Sequence, residues 1–176
     1  DTTPRTTALM ALMGWTMIGG LTLVWSPEGT LPSLALALLR LAHLSADPPM
    51  NLTTSGVLYT DAGQYSRNAA RWVLTGQWYA PGDYNPAIIY PVATALQMIS
   101  FWLLGLSLAS ARAVTVLSAW LTLYLTYRLC RFYTATLPAL VAALLLAASY
   151  RFFAFSRLAL LDIPMIAFAL LSLTLG

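Results

Sequence analysis

The chain alternates long apolar runs with short polar segments, at spacings suited to helices that cross or lie on a bilayer. Residues 8–25 read as a first span, in which Gly14, Gly19 and Gly20 allow close helix approach. Trp25, Pro27 and Glu28 mark its exit to the interface. Residues 31–44 are too short to cross comfortably and carry Arg40 and His43 near their end, which predicts a helix lying on the membrane surface. A turn-rich stretch, 46–56, follows. Asp61 then opens an amphipathic helix with Gln64, Arg67, Asn68 and Arg71 on one face and Tyr65, Ala69, Trp72 and Val73 on another. Gly76 is its expected stop. The aromatic, Pro-rich segment 77–91 predicts an irregular interfacial loop. Residues 86–106 are long enough to cross, but Pro86, Pro91 and Gln97 interrupt them. Spans are predicted at 111–130 and 137–155, and 163–176 begins another. Ala139, Ala143 and Ala147 form a small-residue stripe that predicts packing against a neighbour, including other membrane subunits.

Composition strengthens the membrane assignment. Of 176 residues, 59% are hydrophobic and only 9% charged, against roughly 45–50% apolar in soluble domains. The net charge of +3 comes from nine Arg and no Lys, and these are scattered along the chain, which excludes a nucleic-acid patch. The lone Cys130 excludes an internal disulfide and a cysteine metal site. The chain starts at Asp1 and stops inside an apolar run, so a fragment of a longer protein is expected. The expected fold is all-α and polytopic: one transmembrane domain over 1–176, with about four spans and interfacial helices in an external loop at 26–110.

Asp61 and Asp162 both flank apolar runs, where a carboxylate is costly unless paired, hydrated or used. Each also has an ordinary explanation. Asp61 with Gln64 has the spacing of a capping box. Asp162 ahead of Ile163-Pro164 suits a helix start. Sidedness decides whether they can cooperate. With 86–106 on the surface, both face one side, and Arg5, Arg128 and Arg131 face the other. With 86–106 crossing, they face opposite sides, and Arg5, Arg112, Arg151 and Arg157 lie inside. Positive-inside counting slightly favours the second topology and the interrupting residues favour the first, so the two balance.

The order of motifs resembles the start of the polytopic GT-C glycosyltransferases, the group that includes protein O-mannosyltransferases and aminoarabinose lipid A transferases. The resemblance rests on Asp61, then Tyr65 and the Gly76 helix end. It continues through FWLLG at 101–105, S-x-x-x-A-R at 107–112 and R-x-A-x-x-D-x-P at 157–164. It covers Tyr59 to Pro164, and its specificity lies in order and spacing rather than in any single motif. It implies membrane-parallel helices in the first external loop, hence an interfacial 86–106, with Asp61 at the key acidic position and Asp162 at a second one on the same side. It further implies sugar transfer from a polyprenyl-phosphate donor to an acceptor hydroxyl on the external face of a multi-pass protein, expected in a bacterial inner membrane. Two departures stand out: Ala62 follows Asp61 where the family often has a second acid, and the 26–58 insert is long.

The implied chemistry assigns Asp61 as the base that deprotonates the acceptor. Arg157, Arg67 and Arg71 would bind the donor phosphate. A divalent cation would take oxygen ligands such as Asp162. Trp72, Trp78, Tyr79, Tyr84 and Tyr90 suit either a substrate groove or an aromatic belt. A non-catalytic accessory transmembrane subunit, packing through the alanine stripe, is the competing expectation.

Overall fold

A computed structural model describes residues 39–42, 44 and 61–175, with the backbone alone at 61 and 62. The first span expected at 8–25, the loop at 46–56 and the side chain of Asp61 lie outside the described residues. After a 3-10 turn at Leu39–Leu41, the helices are α1 (Asp61–Thr75), α2 (Pro86–Ile89), α3 (Pro91–Leu104), α4 (Leu108–Tyr133), α5 (Thr136–Ala148), α6 (Tyr150–Phe155) and α7 (Asp162–Leu175). No strand occurs among the described residues.

The central element is α4, whose 26 residues extend about 39 Å at 1.5 Å per residue. That exceeds the roughly 30 Å hydrocarbon core of a bilayer. It is the one helix among the described residues long and apolar enough to cross a membrane. Ser107 and Ser110 start it with a reciprocal capping box. Its internal hydroxyls are satisfied by the preceding turn: Ser118 donates to the Val114 carbonyl at 2.9 Å and Thr122 to the Ser118 carbonyl at 2.8 Å. Arg128 and Arg131 occupy the last turns, where cations complement the helix dipole.

At 14 residues, α3 reaches only about 21 Å and is too short to cross alone. A proline fixes its first turn, and Gly105, at φ 79°, reverses the chain into α4. Residues 137–155 are not one continuous helix, because α5 ends at Ala148 and α6 begins at Tyr150. Ser149 leaves the helical region at ψ 122° while its N–H donates to Leu145 and Leu146. The Ala147 carbonyl at this break accepts Arg40 Nη2 at 3.0 Å. A side chain from over a hundred residues away therefore satisfies the broken helix end, and no local proline or glycine marks it.

The alanine stripe packs against a neighbour, as expected, and that neighbour lies within the chain. Ala139 and Ala143 pack on Tyr127, and Ala147 packs with Ala119 and Leu123. The stripe is buried against α4 of the same chain, so it is not offered to another subunit. Ala143→Leu should therefore overpack the α4–α5 seam and cost about 1–3 kcal/mol, read as a lower Tm in detergent.

Two ends of α4 are distinguished by what packs there. Ala111, near its start, shares a buried cluster with Ala69 of α1, Met98 and Phe101 of α3, and Ala159 of the α6–α7 loop. Tyr127 and Cys130, near its finish, meet the start of α5. Beyond Ala159, α7 packs along α4 through Ala167 against Leu121, Tyr124 and Leu125. Thus α1, α3 and the segment leading to Asp162 gather at one end, opposite Arg128 and Arg131.

Candidate functional site

The amphipathic α1 begins at Asp61 and stops at Gly76, whose φ of 73° and N–H bond to the Trp72 carbonyl at 2.8 Å close the helix. One turn beyond Asp61, the Tyr65 ring meets the Tyr90 ring edge-on, with centroids 5.6 Å apart. Tyr90 in turn lines a cleft of about 210 Å³ between the start of α3 and the start of α7. Leu161, Pro164 and Met165 form the α7 side of this cleft. Asp162 lies between them in sequence and is exposed in the first helical turn, where the dipole favours a negative charge. Tyr65, one turn beyond Asp61 in sequence, thus meets Tyr90, and Tyr90 faces Leu161 and Pro164 across this cleft.

The inner face of α1 is more polar than the pattern suggested. Asn68 was grouped with the exposed arginines, yet it is only 1% exposed. Its Nδ2 donates to the Trp78 carbonyl and, at 2.9 Å, to Asn85 Oδ1. Its Oδ1 accepts from the Ala87 N–H at 3.2 Å. Asn85 returns bonds to the Ala80 and Asp83 carbonyls, each at 2.8 Å. These bonds clamp loop 77–85 onto α1. Trp72 and Trp78 pack on the cluster around Ala69, whereas Tyr79 and Tyr84 stay exposed.

The clamp places Asp83 under α1. Arg67 Nη1 donates to its Oδ1 at 2.9 Å and Arg71 Nη2 to its Oδ2 at 2.8 Å. The hydrogen bond from Arg71 holds the Asp83 carboxyl below its ordinary value of 3.8, helped by the Tyr84 N–H and the two positive charges and opposed by desolvation. Arg71 Nη1 is buried without a hydrogen-bond partner among the described residues. The pair thus holds one carboxylate and keeps spare donors, Arg67 being half exposed. Because folding lowers the Asp83 pKa, its ion pairs stabilise the protein above the unfolded-state value and lose that effect as pH falls through the folded one. The Tm difference between wild type and Asp83→Asn should therefore be present at neutral pH and vanish on acidification below about pH 4.

Arg157 stands at the α6–α7 loop, half-buried, with Nη2 donating to the Ala42 carbonyl at 2.6 Å and its guanidinium 5.4 Å from the Phe153 ring centroid. Over residues 85–176, just over half of the chain, the sequence matches the dolichyl-phosphate-mannose-protein mannosyltransferase family. The chain belongs to that family. No curated protein and no solved structure matches it. Family membership supports membrane glycosyltransferase activity in general and implies a lipid-linked sugar donor in a membrane context. Within this mannosyltransferase family match lie Arg112, Arg157 and Asp162; α1, with Asp61, Arg67 and Arg71, precedes it.

The described residues of this family member do not assemble a metal site. No three His, Cys, Asp or Glu side chains converge among them, and Asp162 contributes a single carboxylate. Sequence reasoning missed Asp83, which lies 12 and 16 residues from its two arginine partners in an irregular loop. The available signal was an i, i+4 arginine pair followed by one acid in the next loop. Arg40, expected near the end of a helix on the membrane surface, is only 1% exposed and is enclosed by the protein itself.

Proposed function

We propose that this chain is the N-terminal membrane part of an enzyme transferring a sugar from a polyprenyl-phosphate donor to an acceptor hydroxyl on the external face. The observation that supports this most is the buried cluster that joins Ala69 of α1 to Ala159 of the segment leading to Asp162, with the Tyr65–Tyr90 ring contact beside it. Together with family membership, it favours Asp61 and Asp162 facing one compartment.

In this reading, Asp61 takes the acceptor proton as the oxygen attacks the anomeric carbon. The bond from that carbon to the donor phosphate breaks, and the lipid phosphate leaves with the electron pair. Arg157 stabilises the leaving phosphate through charge-assisted hydrogen bonds. Arg67 and Arg71 supply further positive charge, Arg67 from a half-exposed side chain that can donate to a new oxygen. Asp162 orients the acceptor; were a divalent cation to bind with the donor, Asp162 would supply one carboxylate oxygen to it and the ion would neutralise charge on the phosphate. The protein is multi-pass, with α4 as its central span and Arg128 and Arg131 on the cytoplasmic side of a bacterial inner membrane.

The test is transfer from a radiolabelled polyprenyl-phosphate sugar by the full-length protein in nanodiscs. Arg157→Met should lower kcat/KM for the donor by about tenfold to a hundredfold, the range for losing one hydrogen bond to a charged group. Unchanged donor kinetics would remove Arg157 from the phosphate site.

A further inference from the structure

We propose that Arg40 is a positioning residue for Arg157, holding the guanidinium that meets the donor phosphate; this rests on the assignment of Arg157 made above. The Arg40 side chain enters the joint where α5 ends and α6 begins. Its Nε donates to Ser156 Oγ at 2.8 Å and its Nη2 to the Ala147 carbonyl at 3.0 Å. Ser156 Oγ passes the connection on, donating to the Phe153 carbonyl at 2.8 Å. The guanidinium also lies 5.1 Å from the Phe152 centroid and 5.4 Å from that of Phe153. An arginine fork suits this work, because its donors are fixed in one plane and reach two chain segments at once.

Arg157 is tied to Arg40 by two routes. Along the backbone, Ser156, which receives Arg40 Nε, is the residue before Arg157. Across space, Arg157 Nη2 binds the Ala42 carbonyl, two residues beyond Arg40, and its guanidinium shares the Phe153 ring with Arg40. Arg112 secures the same segment further on, donating from Nη1 to the Leu44 carbonyl at 2.7 Å. Removing Arg40 leaves the Ala147 carbonyl without this donor and releases the segment whose carbonyl orients Arg157. A buried charge is costly to maintain, and here it fixes the position of a second, more accessible charge.

The deciding experiment is a double-mutant cycle on the full-length protein in nanodiscs, with polyprenyl phosphate as the probe and Tm as a separate measure of folding. Arg157→Met and Arg40→Met should each weaken polyprenyl-phosphate binding, Arg157→Met by about tenfold and Arg40→Met by less. Adding Arg40→Met to Arg157→Met should cost no further affinity, although Tm should fall in both backgrounds, because residues acting through one another are not additive. Additive losses, or normal binding by Arg40→Met, overturn the proposal. Should Arg40→Met not fold, Ser156→Ala removes only the Oγ link and should give a smaller loss, absent in the Arg157→Met background; normal binding by Ser156→Ala then overturns it. Normal binding by Arg157→Met marks instead a failure of the phosphate assignment, and the role of Arg40 falls with it.

Discussion

Asp61→Asn is expected to abolish sugar transfer by the full-length protein while leaving its fold intact. The substitution is nearly isosteric and removes only the charge and the basicity. A positioned general base contributes about 10²–10⁴-fold to turnover, so kcat should fall at least about a hundredfold. The control lies in helix chemistry. Asp61 opens α1, and Asn serves as well as Asp at a helix N-terminus, whereas Ala costs about 1 kcal/mol there. Capping and catalysis therefore separate. If Asp61 only starts the helix, Asp61→Asn behaves as wild type in both Tm and turnover, and only Asp61→Ala is affected. If Asp61 is the base, both variants lose turnover and only Asp61→Ala also loses stability. Donor binding by Asp61→Asn should stay near wild type, since the proposed phosphate contacts are arginines.

The largest stability effect is expected from Asn68→Leu. Leucine has the same branched heavy-atom skeleton as asparagine with bulkier ends, so no cavity forms. The substitution strips the Trp78 carbonyl, the Ala87 N–H and Asn85 Oδ1 of one partner each. Buried polar groups left unpaired cost about 1–3 kcal/mol apiece. Part of this is recovered because Asn85 Oδ1 still accepts from the Ala80 N–H at 3.1 Å. A net loss of about 3 kcal/mol follows, or a fall in Tm of roughly 6–12 °C for a chain of this size. The effect should reach the site as well. Once loop 77–85 is unclamped, Asp83 no longer sits between Arg67 and Arg71, and the pair loses its fixed geometry. A Tm within about a degree of wild type would show that the asparagine pair contributes little.

Local signals were legible wherever a residue type dictates backbone geometry. Asp61 and Gly76 bound α1 as expected, whereas Pro86 and Pro91, read as interruptions and as part of an irregular loop, each begin a helix instead. The span at 111–130 lies wholly within α4, because a long apolar run has few other solutions in a bilayer. What stayed hidden depends on contacts distant in sequence. The break at Ser149 lies in a uniformly apolar run without Pro or Gly and is satisfied by Arg40, 107 residues away. Asn68 looked like part of a polar face because periodicity records polarity and not whether a buried partner such as Asn85 exists. The alanine stripe correctly announced close packing but could not name its partner, which is α4. For the site, Asp162 and Arg157 were legible as residues. The packing of the segment between them against α1 became visible only through the cluster joining Ala69 to Ala159.

That packing carries the central claim: Asp61 and Asp162 face a single compartment, so that one acceptor and one donor can meet both. Single-cysteine accessibility tests it most directly. The half-buried Cys130 is first replaced by alanine in the full-length protein. Cysteine is then introduced at position 61 or 162, and intact cells are treated with a membrane-impermeant maleimide. Both positions should be labelled from the outside, while a cysteine at position 131, at the far end of α4, should be labelled only after the membrane is permeabilised. Labelling of 61 and 162 from opposite faces would contradict the shared site.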